Sequence, residues 1–232
     1  MLGKVKDRTC AIIVAAGTGS RMKMDCPKQF LIVNDKPVLY YTLKAFEESQ
    51  IDEVVVVTSK AYVGYVEQEI VKQFNFTKVS SVVAGGKERY ESVYEGIKAC
   101  NLADYVLVHD GARPFIKPEL IDKVICEVKI RKALVVGVKA KDTVKIASVD
   151  QSVESTPDRS RVWYIQTPQA FTYEIIKTAY DIIIQSGDYN ITDDAMVVEK
   201  TMNYPIYIME GDYTNIKITT PEDLTLAYLT LK

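Results

Sequence analysis

Ala15-Ala16-Gly17-Thr18-Gly19-Ser20-Arg21-Met22, followed closely by Pro27-Lys28-Gln29, joins two glycines to two cations in one short segment. The chemistry such a set suits is the cradling of a polyphosphate. Gly17 and Gly19 can take positive φ and carry no side chain, so consecutive N–H groups can turn toward an anion that approaches the backbone closely. Arg21 adds a planar fork for phosphate oxygens, and Lys28 adds a compact charge whose exit direction is set by Pro27. Glycine turns after strands are also ordinary connectors, and exposed cations are ordinarily solvated. It is the co-occurrence of glycines and both cations that favours a phosphate seat. A P-loop would need Gly-x-x-x-x-Gly-Lys-Ser/Thr, which occurs nowhere in the chain. A dinucleotide fingerprint would need a third glycine where Met22 stands, and an acid where Thr58 and Ser59 follow the next long apolar strand.

Further clusters follow other apolar runs. Gly85-Gly86-Lys87-Glu88-Arg89-Tyr90-Glu91-Ser92 is a second flexible turn that enters a helix, able to frame a base or a phosphate, and equally readable as a charged helix start. His109-Asp110-Gly111-Ala112-Arg113-Pro114 puts Asp110 at a strand end, where a carboxylate can accept from ligand hydroxyls or help place Mg²⁺. His109, the chain's sole histidine, reads as a structural hydrogen-bonder rather than a base. Thr143 and Lys145, Arg159, and Thr167-Pro168-Gln169 offer hydroxyls and cations around a polar stretch. Thr192, before Asp193 and Asp194, reads as a helix N-cap. Lys217, ahead of the Pro-started segment at Pro221, could bring a third cation back to the site.

The elements that must position these residues are legible as alternating strands and helices. Apolar, β-branched runs without in/out alternation at Cys10–Ala15, Val54–Thr58, Val79–Val83, Tyr105–His109, Leu134–Val138 and Ile206–Met209 predict strands buried on both faces. Helical patterns fall at Val38–Glu48, Ala61–Phe74, Arg89–Ala99, Pro118–Arg131, Tyr173–Ser186, Asp193–Lys200 and Pro221–Leu231. This alternation predicts a three-layer α/β fold with a mainly parallel sheet, whose ligands sit beyond the strands' carboxyl ends. From Lys139 to Arg161 the chain turns polar and β-branched, which predicts a projecting β-arm seeking a partner surface. The 232 residues, 47% apolar, suit one domain, 1–232, with that arm at about 139–161.

A net charge of -2 argues against a general electrostatic grip on nucleic acid or on an anionic membrane. Cys10, Cys26, Cys100 and Cys126 match no zinc spacing and no disulfide framework, which points to a reducing cytoplasm. No apolar run approaches the ~18 residues a membrane helix needs.

Taken in order, these motifs resemble the 2-C-methyl-D-erythritol 4-phosphate cytidylyltransferases from about Thr9 to Leu231. The likeness is carried by the Ala15–Met22 loop with Pro27-Lys28-Gln29, Val108-His109-Asp110-Gly111-Ala112-Arg113-Pro114, Asp142-Thr143, Thr167-Pro168-Gln169, Ile191-Thr192-Asp193 and Asn215-Ile216-Lys217 with Pro221-Glu222-Asp223. The resemblance implies a Rossmann-like nucleotidyltransferase fold and transfer of CMP from CTP, the co-substrate, with loss of pyrophosphate. It implies catalytic roles for Arg21, Lys28 and Lys217 on the CTP phosphates, and CTP contacts from Ala15, Ala16, Gly17, Gly19, Gly86, Ser92 and Asp110. Arg113, Thr143, Arg159, Thr167 and Thr192, with Asp110, would form the sugar-phosphate side. Mg²⁺ would be held mainly through the CTP phosphates, with Asp110 beside it. The arm would embrace a second subunit in a homodimer, so that Thr143 and Arg159 serve the neighbour's site. Lys87 departs from relatives with an acid there, and Gly111 from a frequent alanine. The ribitol-5-phosphate cytidylyltransferases, which share the CTP loop, stand as the alternative substrate class, and a non-catalytic nucleotide-binding subunit as a further one.

Overall fold

Runs of valine and isoleucine that do not alternate with polar residues can be satisfied only in a sheet covered on both faces. The computed structural model, which describes residues 7–17, 26–100, 102–187 and 190–231, contains such a sheet. Its elements in chain order are β1 (Thr9–Ala15), β2 (Ile32–Val33), β3 (Lys36–Pro37), α1 (Val38–Glu48), β4 (Glu53–Thr58), α2 (Val63–Tyr65), β5 (Val79–Ala84), α3 (Arg89–Ala99), β6 (Tyr105–Asp110), α4 (Pro118–Arg131), β7 (Ala133–Lys139), β8 (Ile146–Ala147), β9 (Val153–Ser155), β10 (Trp163–Thr172), α5 (Tyr173–Ser186), α6 (Asp194–Met202), β11 (Tyr207–Glu210) and α7 (Pro221–Thr230).

Seven strands form the main sheet in the order β11-β7-β10-β6-β1-β4-β5. Pairing is parallel except at β10, which runs antiparallel to both β6 and β7. Six of these strands coincide with the apolar runs of the sequence. The seventh, β10, does not announce itself, because Gln166, Pro168 and Gln169 interrupt its pattern. Its register against β7 shifts between Ile165 and Gln169, an irregularity that accommodates a proline unable to donate to the ladder.

Alternate residues of each strand enter opposite cores. Ala11, Ile13 and Ala15 of β1 pack with α1 and α4 through Leu39, Leu43, Phe46, Ile121 and Val124. Cys10 and Ile12 pack with α3 and α5 through Val93, Ile97, Ile176 and Tyr180. Each fully buried aliphatic side chain in these layers contributes about 1.5–3 kcal/mol relative to exposure. This two-sided burial makes β1 a rigid rail for the loop that follows it.

Two local expectations are revised. The helix expected over 61–74 forms as a 3₁₀ turn at Lys60–Tyr62, then α2, then a π-helical stretch at Val66–Lys72. Helix α6 begins at Asp194, and its N-cap is Asp193, whose side chain accepts from the Met196 N–H at 2.9 Å. Thr192 is not the cap; its hydroxyl lies 3.4 Å from the Met196 Sδ. The polar stretch after β7 does form a hairpin, with β8 and β9 paired antiparallel and Ile146, Val149 and Val153 exposed on it.

Candidate functional site

Because β1, β4, β5 and β6 run parallel, the loops after Ala15, Thr58, Ala84 and Asp110 emerge along one edge of the sheet. The Ala15 carbonyl accepts from Gln29 Nε2 at 2.5 Å and from Thr58 Oγ1 at 3.3 Å, while the Gly17 carbonyl accepts from the same Gln29 amide at 2.9 Å. Gly85 N–H donates to the Thr58 carbonyl at 2.7 Å. A Cβ on Gly85 would lie 2.5 Å from Ser92 Oγ and 3.0 Å from Ala16 Cβ. Ala15, Ala16, Gly17, Gly85 and Ser92 therefore share one corner. Gly19 and Arg21 lie outside the described residues.

Gly86 is folded over the first turn of α3. The Glu91 carboxylate accepts the N–H groups of Lys87 and Glu88 at 2.6 and 3.1 Å, and a Cβ on Gly86 would meet Glu91 Cβ at 2.4 Å. Ser92, buried, donates its hydroxyl to the Glu88 carbonyl at 3.1 Å, which leaves its lone pairs beside Gly85.

Asp110 ends β6, buried, with three cations around its carboxylate. Lys217 Nζ is 2.8 Å away, Arg89 Nε 3.4 Å and Arg113 Nε 3.6 Å. Burial alone would raise the Asp110 pKa, but the charges of Arg89, Lys217 and Arg113 outweigh it and hold the carboxyl well below the ordinary carboxylate range. Arg89 also grips the fully buried Asp194 with both terminal nitrogens, at 2.9 and 2.8 Å, and Tyr180 Oη donates to Asp194 at 2.5 Å. Burial opposes the Arg89 charge, yet Asp194 and Asp110 together raise its pKa above the ordinary value. Two carboxylates facing three cations leave an excess of positive charge, the condition for receiving an anion.

His109 is fully buried and hydrogen-bonded on both nitrogens. Asp110 N–H donates to Thr167 Oγ1 at 3.1 Å, so the Thr167 hydroxyl is free to donate to His109 Nδ1 at 3.0 Å, and Nε2–H then points at the Arg113 carbonyl at 3.4 Å. Burial, with Arg113 in support, lowers the His109 pKa to about 3. The neutral ring is thus a strut that fixes Asp110 and Thr167. The main-chain carbonyl of Thr167 accepts from buried Asn215, whose own carbonyl accepts from Arg113 at 2.8 Å.

Lys28, far from Lys217 in the chain, reaches the backbone beside it. Lys28 Nζ donates to the Ile218 carbonyl at 2.7 Å, one residue beyond Lys217, and Ile218 N–H donates to the Ala112 carbonyl at 2.8 Å. The Lys217 segment is therefore sewn to the loop after Asp110 on one side and to the turn after the glycine loop on the other.

The remaining candidates lie elsewhere. Thr143 and Arg159 are exposed on the arm, where Arg159 NH1 donates to the Lys141 carbonyl at 3.0 Å. Among the described residues neither bonds to Asp110, Arg113 or Lys217. Thr192 is exposed just before α6. The structure adds Arg89, Asp194, Gln29, Gln169 and Asn215, none of which the sequence singles out as functional. Gln169 Oε1 accepts the N–H groups of Asp194 and Ala195, both at 3.0 Å, which docks α6 against β10. A charged residue opening a helix, as Arg89 does, reads as a solvated first turn until its distant partners are known. Among the described residues no group of three or more His, Cys, Asp or Glu side chains forms a metal cage, and no helix is long and apolar enough to cross a membrane.

Residues 9–232 match the family described as IspD, 2-C-methyl-D-erythritol 4-phosphate cytidylyltransferase. A protein of that name from Lachnoclostridium phytofermentans is 53% identical over 226 residues, covering 97% of each chain. Another from Lachnospira eligens is 45% identical, covering 96% of this chain and 98% of the relative. The crystal structure of 4-diphosphocytidyl-2C-methyl-D-erythritol synthase from Anaerococcus prevotii superposes with a TM-score of 0.85 at 35% identity, covering 96% of this chain and 95% of that one.

Proposed function

The chain belongs to the 2-C-methyl-D-erythritol 4-phosphate cytidylyltransferase family, and from that premise we propose that it transfers CMP from CTP to 2-C-methyl-D-erythritol 4-phosphate with release of pyrophosphate. The observation that carries the reading is the convergence of Lys28 on the Ile218 carbonyl and of Lys217 on Asp110, at the edge where the glycine loop ends. The substrate's phosphate oxygen attacks the α-phosphorus of CTP in line. A phosphate monoester is already an anionic nucleophile, so no general base is needed, consistent with a buried, neutral His109. Positioning and charge neutralisation supply the catalysis.

In this reading Ala15, Ala16, Gly17 and Gly19 cradle the triphosphate, and Gly86 and Ser92 face the base. Arg21, Lys28 and Lys217 neutralise charge on the α-phosphate and the leaving group. Asp110 holds Lys217 until the phosphates arrive, and Arg113 and Thr167 shape the polyol side. The Asp110 carboxylate is already engaged by three cations, so Mg²⁺ would take triphosphate oxygens as its principal ligands, with Asp110 beside them. When bound it would neutralise phosphate charge. We place Thr143 and Arg159 at the neighbouring subunit's site, with Thr192 on the polyol side, in a cytoplasmic homodimer joined by the arm at 139–161.

Pyrophosphate release at fixed CTP, with methylerythritol phosphate against ribitol 5-phosphate, tests the proposal. Preference for the first acceptor is expected. Preference for the second would reassign the substrate, and no release with either, alongside tight CTP binding, would make this a nucleotide-binding subunit.

A further inference from the structure

Gln29 is 3% exposed, and its amide points at the glycine loop rather than at solvent. One NH₂ group has two hydrogens, and here each finds a main-chain carbonyl, Ala15 O at 2.5 Å and Gly17 O at 2.9 Å. In a trans peptide the C=O and the following N–H point opposite ways. The Ala15 carbonyl, pinned toward Gln29, therefore turns the Ala16 N–H away from it, toward the side an anion would occupy. Thr58 also bonds Ala15 O, so the strand end has a second holder. For the Gly17 carbonyl, Gln29 is the holder among the described residues.

The residue is itself held firmly. It sits in the turn Lys28–Phe30, where Phe30 N–H returns to the Pro27 carbonyl at 2.9 Å and the Phe30 ring stacks on Tyr62 at 4.8 Å between centroids. Its neighbour Lys28 reaches the other way, to Ile218. Adjacent side chains of one rigid turn thus grip the glycine loop and the segment that carries Lys217.

We propose that Gln29 is a positioning residue for CTP, its amide fixing the Ala15 and Gly17 carbonyls so that the Ala16 N–H faces the phosphates. The proposal rests on the CTP reading of the loop. A carboxylate would oppose two carbonyls, and a methylene chain would leave the Ala15 carbonyl to Thr58 alone and remove the Gln29 donor from the Gly17 carbonyl.

Gln29→Met and Gln29→Glu test it, with CTP binding by titration calorimetry and KM for both substrates. Gln29→Met is expected to weaken CTP binding about 10-fold to 100-fold, with KM for the polyol phosphate within about twofold of wild type. In Gln29→Glu the introduced carboxyl can donate only when protonated. Its CTP KM, divided by the wild-type value, is expected to fall as pH drops from about 8 to about 5.5. That ratio is measured within one folded variant, so it decides even if Gln29→Met does not fold. Wild-type CTP turnover beside variants with unchanged CTP constants overturns the proposal alone. So does a joint rise of both KM values with a flat pH ratio. A wild-type protein without CTP turnover overturns the proposed function as well.

Discussion

Arg89 and Asp194 face each other through two parallel N–H···O bonds of 2.9 and 2.8 Å, while the third nitrogen of the same guanidinium lies 3.4 Å from Asp110. One fork therefore couples a fully buried carboxylate on α6 to the acid at the end of β6. Removing Arg89 would strand Asp194, which has only neutral hydrogen-bond donors left among the described residues. We expect Arg89→Met to cost about 3–5 kcal/mol of folding stability, measured by urea unfolding. Much of the loss should return in the double variant Arg89→Met/Asp194→Leu, since the stranded charge is then gone. A single variant within about 1 kcal/mol of wild type would show the pair to be energetically idle.

The buried His109 gives stability a readable pH dependence. An unfolded histidine titrates near about 6.5, whereas the folded ring titrates at about 3. Between those values the unfolded chain binds a proton that the folded chain does not, so stability falls as pH falls, with a limiting slope of about 1.4 kcal/mol per pH unit. Asp110 and the other carboxylates with lowered pKa contribute only as pH falls through and below their unfolded range near about 4. The interval from about pH 6.5 to about pH 4.5 therefore belongs to the chain's single histidine. His109→Gln should flatten the slope in that interval of chemical denaturation curves, and an unchanged slope would contradict the assigned burial.

Much of this architecture was legible in the chain because two-sided burial writes itself as unbroken apolar runs. Val54–Val57 could hardly be anything but a central strand, and α1, α3, α4 and α5 carry clear helical periodicity. Strand β10 was illegible for the converse reason: Gln166, Thr167 and Gln169 face buried polar partners, and Pro168 sits at a register shift. The site divides similarly. Asp110 stood out as an acid at a strand end, Lys28 as a cation beside the glycine loop and Lys217 as one ahead of a Pro-started helix. Arg89, Asp194, Gln29 and Asn215 act through partners between 12 and 105 residues away, which no local pattern encodes. The hydroxyl of Thr192 looked like a cap because Asp193, the true cap, stands next to it.

Gly96 tests how closely α3 is seated on the sheet. A Cβ there would lie 2.4 Å from Ile12 Cγ2 and 3.0 Å from Val57 Cγ2, both on fully buried, β-branched side chains with no room to turn. Gly96→Ala should therefore destabilise by about 1–3 kcal/mol, overriding the roughly 1 kcal/mol that alanine gains in a helix. Gly64→Ala is the control, because nothing lies within 4 Å of its added methyl. It should be neutral or slightly stabilising in the same denaturant titration. Equal effects at the two positions would mean that α3 can lift from β1 and β4 at little cost.

The arm supplies a test of site sharing. Arg159 reaches the Lys141 carbonyl within the arm and makes no described bond to Asp110, Arg113 or Lys217, and the proposed function places it at the neighbouring subunit's site. Lys28, by contrast, is built into its own subunit's site through Ile218. Arg159→Ala and Lys28→Ala homodimers should each lose about 10²–10³ in turnover. In a dimer containing one of each, the Arg159→Ala subunit keeps its own Lys28 and receives an intact Arg159 from its neighbour, so one site is whole. Random pairing of equal amounts makes half the dimers mixed, and co-expression should restore roughly a quarter of wild-type pyrophosphate release. If each site used only its own Arg159, the mixture would stay at the level of the two homodimers.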